Sequence, residues 1–208
     1  MNKFLLSLIF GIVCKLTFGQ YSLVKNPESF KTQFIAASAK TNSIASDFTQ
    51  VKSLTALSER LSSKGKFYFQ RSSKVRMEYT TPYPYLMVIN GSKVMVKDGA
   101  KTNTLSAKSN KTFQRINQLM MDSMDGNIFS NTDFSIRVFE DADTYLTEMT
   151  PVTSQMKNLF NKVNVIMKKH SFVVQQVQMF EPSGDYTSIN YTNQKINIAL
   201  PDVLFTIK

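Results

Sequence analysis

The sequence predicts an α+β fold: one large antiparallel sheet that curls, with helices gathered on one of its faces. Three observations predict it. From Gly65 to Val96, apolar side chains recur at every second position in four short runs, the period of half-buried strands and not of a helix. Turn formers separate the runs, at Ser72-Ser73, Thr81-Pro82 and Asn90-Gly91, and strands joined this closely form an antiparallel meander. Two segments with helical spacing flank the meander. Their apolar stripes need a partner, and the apolar strand face supplies one.

The N-terminus stands apart from this pattern. Lys3 is followed by an apolar run from Phe4 to Cys14 and by the small residues Thr17 and Gly19. This is the form of a secretory signal peptide, and the run is too short for a membrane anchor. Residues 1–19 are expected to be removed, leaving a single soluble domain over 20–208. Cys14 is the only cysteine. Gly11-Ile12-Val13 precede it without the leucine three positions upstream that marks lipid attachment. A secreted chain without disulfides must rely on the size of its core. With 42% hydrophobic residues in a 208-residue chain, a core of that size is available.

The first helix is expected from Pro27 to about Lys40. Asn26 caps it, Pro27 occupies its first turn, and Glu28 sits near the positive end of the dipole. Phe30, Phe34 and Ala37 form its stripe, which Ile44 could extend. Residues 44–57 read as extended, and Ser58 to Lys64 as a polar turn leading into the meander. In the meander, Phe67 and Phe69, then Val75, Met77 and Tyr79, then Tyr85, Met87 and Ile89, then Val94 and Val96 share faces. Asp98-Gly99 turns the chain into a return strand over Lys101–Leu105.

Ser106 to Met124 breaks the alternation. Phe113, Ile116, Leu119 and Met120 recur at three- and four-residue spacing, and Asp125-Gly126-Asn127 ends the segment, so a second amphipathic helix is expected. Its methionines, Met120, Met121 and Met124, suit either ordinary core packing or an adaptable surface for irregular apolar ligands. Strand patterns resume at Phe134–Val138, Tyr145–Met149, Val163–Met167, Phe172–Phe180 and Tyr186–Thr192, with a helical turn at Met156–Phe160. Lys195–Ile198 reads as a short ordered element or a crossover, and Leu204–Ile207 as a last strand. The tally is about ten strands and two helices, and a sheet this wide must curl. A curled sheet under lid helices encloses an apolar interior.

Several function classes find no support in the residues. The formal charge is +10, but the basic residues are scattered; the densest groups, Lys108/Lys111/Arg115 and Lys168-Lys169-His170, make no long run, so no nucleic-acid partner is expected. His170 is the sole histidine, and the expected mature chain has no cysteine for a metal site. Neither a nucleophile elbow, a phosphate-binding glycine loop nor a zinc-protease motif is present. Glu140, Asp141 and Asp143 are not spaced as a calcium loop. The chain is therefore not expected to be an enzyme or to take a cofactor.

The order of motifs resembles the outer-membrane lipoprotein carrier proteins of Gram-negative bacteria. Ser46-Asp47-Phe48-Thr49-Gln50 fits the small-x-Phe-x-Gln signature of that family. Gly65-Lys66-Phe67-Tyr68-Phe69-Gln70-Arg71 matches best, followed by Val75-Arg76-Met77-Glu78-Tyr79, Pro82 and Val88-Ile89-Asn90-Gly91. Asn197, Pro201 and Phe205 suit its ending. The resemblance implies an unclosed antiparallel half-barrel covered by lid helices. It implies a periplasmic monomer that takes acyl chains of lipoproteins from an inner-membrane lipoprotein-releasing transporter and passes them to an outer-membrane acceptor. It places the family's functional arginine at Arg71, where it would latch the lid over the empty cavity. Ser72 stands where the family has proline, and Met77 where it has tryptophan. The expected cavity residues are Phe30, Phe34, Phe48, Phe67, Phe69, Met77, Met87, Phe113, Ile116, Leu119 and Met120. Two other functions share this outline: a lipid-sensing envelope regulatory domain, and a structural surface protein with a filled core.

Overall fold

The computed structural model of the chain describes residues 21–71, 73–106, 118–119, 121–123 and 126–207. The expected signal peptide and the positions Phe113, Ile116 and Met120 lie outside them. The described strands form a twelve-stranded antiparallel sheet. In chain order they are β1 (Ser22–Leu23), β2 (Ser43–Leu54), β3 (Glu59–Gln70), β4 (Lys74–Thr81), β5 (Tyr85–Asn90), β6 (Lys93–Asp98), β7 (Lys101–Ser106), β8 (Phe134–Glu140), β9 (Thr144–Pro151), β10 (Lys162–Lys168), β11 (Val174–Phe180) and β12 (Tyr186–Ile196). Spatially they run β1-β8-β9-β10-β11-β12-β2-β3-β4-β5-β6-β7, so β1 and β7 are the two edges and the sheet does not close. Two meanders, β2–β7 and β8–β12, are fused where β12 pairs with β2.

Helix α1 (Pro27–Ala39) forms where its cap residues direct it. The Asn26 side chain accepts from the Ser29 amide at 3.0 Å, and Pro27 opens the first turn. Its buried face is Phe30, Phe34 and Ser38, and not the Ala37–Ile44 continuation of the stripe; Ile44 belongs to β2. Residues 118–119 and 121–123 are also helical. Among the described residues no helix is long and apolar enough to cross a membrane.

The apolar side chains gather in two clusters. In one, Phe30 and Phe34 of α1 pack on β8–β10 through Phe134, Val138, Met149 and Val165. In the other, Phe48, Phe67, Phe69, Val75, Met77 and Ile89 of β2–β5 pack with Met121. Met179 of β11 touches both.

Three expectations are corrected. Ser58–Lys64 is not a turn: the chain turns at 55–58, with Ser58 at φ 53°, and Glu59–Lys64 is the first half of β3, registered residue by residue against β2. Its side chains are mostly exposed, so no apolar alternation announces it. Phe172 is not in a strand; it has φ 55° in the tight link between β10 and β11, where its amide donates to the Lys168 carbonyl at 2.8 Å. Leu204–Ile207 is not a strand either. Asp202–Phe205 is a 3₁₀ turn laid across β4 and β5. Arg76 donates to the Leu204 carbonyl and Asn90 to the Phe205 carbonyl, both at 3.1 Å, and the Phe205 ring is buried there.

Candidate functional site

Between the two clusters, under α1 with Leu119 and Ser123, lies a cavity of about 270 Å³. Its floor is drawn from both meanders. Alternation along each strand decides who reaches it: Phe67 of β3, Met77 of β4 and Met87 of β5 from one side, Val163 and Val165 of β10 with Val177 and Met179 of β11 from the other. Phe67 stands opposite Met77, and Met77 opposite Met87. The roof is Phe34 and Ala37 of α1 with Leu119. None of the lining residues carries a charge.

Five of the expected cavity residues are on its wall: Phe34, Phe67, Met77, Met87 and Leu119. Phe30, Phe48 and Phe69 are buried but stand behind the wall. Phe30 is enclosed by rings, with Tyr145 at 4.7 Å, Phe172 at 5.6 Å and Phe129 at 5.8 Å between centroids. Phe48 lies edge-on to Tyr79 at 4.9 Å, over Gly65. Phe69 is wholly enclosed in the β2–β5 cluster. The expectation missed the wall supplied by the second meander. The signal was present in the alternation of Val163/Val165 and Val177/Met179, but sequence distance from the first meander hid that both faces meet.

Arg71 follows β3 directly. Its backbone amide donates to the Asn42 carbonyl at 2.8 Å. Its guanidinium donates from Nε and Nη2 to the Thr41 carbonyl at 3.1 and 3.0 Å, and from Nη2 to the Ser38 carbonyl. Ser38 is in the last turn of α1 and Thr41 lies just beyond its end, and α1 has no basic residue in its last turn. The sheet therefore supplies the cation that the negative end of the helix dipole favours. Helix α1 is held at two places: by the ring cluster around Phe30, and by Arg71 at its C-terminal end. Gly126, at φ +83°, also packs against α1; a Cβ there would lie 3.0 Å from that of Ser38.

The phenols in and beside the cavity stay neutral. Burial, with Tyr85 adding to it, pushes Tyr79 up to about 12, while its hydroxyl donates to Gln50 Oε1 at 2.9 Å. Burial raises Tyr191 further, with a smaller contribution from Tyr79. The chamber is thus uncharged at neutral pH, suited to a hydrocarbon ligand.

Comparison with known proteins agrees with this geometry. The family model described as outer membrane lipoprotein carrier protein LolA matches residues 39–208. Over 72 residues the chain is 40% identical to the outer-membrane lipoprotein carrier protein of Methylococcus capsulatus; the match spans 35% of this chain and only 33% of that protein. Among solved structures, the fold is similar to the Pseudomonas aeruginosa MucA/MucB complex, with TM-score 0.54 and 10% identity over 88% of this chain and 62% of that one. It is also similar to an uncharacterized conserved protein of Thermus thermophilus, with TM-score 0.51 and 8% identity over 88% and 95% of the two chains. At such identities the structural likeness is one of fold.

Proposed function

The chain belongs to the outer membrane lipoprotein carrier protein LolA family, and we propose that it is a periplasmic carrier that shelters lipoprotein acyl chains in this cavity between the inner and outer membranes. The observation that carries the reading is an uncharged cavity roofed by a helix that Arg71 holds to the sheet. Each methylene moved from water into such a chamber is worth about 0.8 kcal/mol. Hydrogen bonds from a charged donor are worth about 1.5–3 kcal/mol each. About four to eight methylenes therefore offset the loss of the Arg71 bonds to the two carbonyls, so one long acyl chain suffices to open the lid. In this reading the acyl chains lift α1 about its ring cluster, Arg71 releases Ser38 and Thr41, and re-forming those bonds favours the empty state after delivery. Cargo arrives from an inner-membrane lipoprotein-releasing transporter and leaves to an outer-membrane acceptor. The carrier acts as a monomer, without cofactor or catalysis, after cleavage near Gln20.

Mass spectrometry of the protein purified from envelope extracts tests this. Diacylated or triacylated lipoprotein is expected to co-purify, and N-terminal sequencing is expected to begin near Gln20. Co-purification of free lipid alone would favour a lipid sensor, and no lipid at all a structural protein.

A further inference from the structure

The cavity is apolar but not featureless. Ser46 on β2 is only 6% exposed, lines the chamber, and its Oγ has no hydrogen-bond partner among the described residues. Native proteins pair nearly all such hydroxyls. The backbone explains why this one is open. β12 pairs with β2 regularly up to Thr192↔Asp47, then slips, and pairing resumes at Lys195↔Ala45. Ser46 faces this bulge, so it has no regular neighbour on that side. The two bulge residues are otherwise committed. Asn193 donates to Asp47 Oδ2 at 2.8 Å, and Gln194 donates to the Val174 carbonyl at 2.6 Å. Bulges of this kind re-aim side chains at binding sites.

A second hydroxyl stands nearby. Tyr191 lies directly across from Phe48 in the β12–β2 ladder. Its ring meets Phe67 edge-on at 5.3 Å, and Phe67 is also the register partner of Ser46. Tyr191 lines the cavity. Its hydroxyl makes no hydrogen bond among the described residues, unlike that of Tyr79, although a buried phenol usually finds a partner. By contrast, Thr41 and Ser123, which also line the chamber, give their hydroxyls to the backbone carbonyls of Ala37 and Leu119, four residues earlier.

We propose that Ser46 and Tyr191 form a polar subsite in the cavity floor that donates hydrogen bonds to the carbonyl of an acyl ester, so that the chamber selects esterified chains over plain hydrocarbon. Both groups are neutral donors, and no lining residue carries a charge to balance a buried carboxylate or phosphate, so the pair suits an uncharged carbonyl oxygen. The subsite rests on the carrier reading, since it takes the linkage by which acyl chains are attached. The ester can come from a diacylglyceryl-modified lipoprotein or from a membrane phospholipid; the chemistry recognised is the same.

The test uses the full mature chain and two matched pairs of probes, binding being read by displacement of a fluorescent fatty acid. One pair is an S-dipalmitoylglyceryl-cysteine peptide and its diether analogue, the other dipalmitoylphosphatidylglycerol and its diether. The ester is expected to bind about fivefold to tenfold more tightly than the ether. Ser46→Ala and Tyr191→Phe are each expected to cut the ester's affinity about fivefold and the ether's less than twofold. Ligand-free Ser46→Ala is expected to melt no lower than the parent, because it removes an unpaired hydroxyl. The pair that binds more tightly identifies the source of the ester. Equal affinity for ester and ether in the parent, or an undiminished ester preference in both variants, overturns the subsite and leaves the carrier reading intact. Failure of every probe to bind overturns both.

Discussion

Arg71, at the end of β3, donates from its guanidinium to the carbonyl of Ser38 in the last turn of α1, joining two elements that share no regular pairing. The same guanidinium holds the Thr41 carbonyl through Nε and Nη2. A fork with several fixed donors can satisfy two adjacent carbonyls at once, which a lysine ammonium on its flexible stem does less well. Replacing Arg71 with leucine is expected to lower the unfolding free energy by about 3 kcal/mol, the lower end for charged hydrogen bonds to two carbonyls, leaving a folded protein. Arg71→Lys is expected to recover only part of the loss. Urea unfolding of the three proteins measures this.

The roof is expected to be as important to binding as the floor. Leu119 lines the chamber on the helical segment that follows the first meander. An aspartate there places a carboxylate against hydrocarbon, where it must be neutralised or left unpaired. Leu119→Asp is expected to weaken fatty-acid binding at neutral pH by about tenfold or more, equivalent to ~1.4 kcal/mol, with partial recovery on acidification. Displacement of a fluorescent fatty acid at two pH values reads both effects, and unchanged affinity would place the helix outside the site.

Acid stability should depend on Glu148 of β9. Burial alone would push its carboxyl up, but Arg137 and Lys162 outweigh it and hold the group below its ordinary value. The Lys162 contact is 3.2 Å, and the Glu148 side chain is only 14% exposed. A carboxylate depressed in the folded state stabilises it above the unfolded value, about 4.3, and that contribution is lost as pH falls through the folded value. Arg137 is largely exposed, so solvent screening limits the contribution to about 1 kcal/mol. Glu148→Gln is expected to be less stable than the parent at pH 7, with the difference closing in acid. Thermal melts from pH 7 to pH 3 give the comparison.

Gly65 should be irreplaceable on steric grounds. It sits where the β3–β4 register shifts. An added Cβ would lie 2.1 Å from the Glu78 carbonyl and 2.7 Å from the Phe48 ring. Backbone oxygen cannot move aside as a flexible side chain would. Gly65→Ala is expected to cost about 3 kcal/mol or more, the upper range of overpacking, measured by denaturant unfolding.

How much was legible in the sequence follows from which physical signals are local. Turn chemistry at Asn90-Gly91 and Asp98-Gly99 and alternation through Phe67, Met77 and Met87 located the first meander and three wall residues. The Asn26-Pro27 start located α1. Glu59–Lys64 was not legible, because a strand segment that is mostly exposed has no apolar alternation; its ladder with β2 is a backbone property. Strand β1, two residues long, exists only through its pairing with β8. Phe205 reads as apolar in any conformation, and only the fold shows that Arg76 and Asn90 hold its segment across the outer face. In the site, Arg71 was placed through family resemblance, while its acceptors at Ser38 and Thr41 needed the structure. Ser46 carried no sequence signal for its open hydroxyl, since that depends on a bulge in a strand about 145 residues away.

The most direct test of the account separates loading from release. Parent and Arg71→Leu proteins are loaded with lipoprotein from spheroplasts and then presented to outer membranes. Both proteins are expected to load, and the variant to retain its cargo, because the closed empty state that favours release has lost its contacts to Ser38 and Thr41. Equal loading and equal transfer by the two proteins would contradict this, leaving Arg71 as a helix-end contact with no part in delivery.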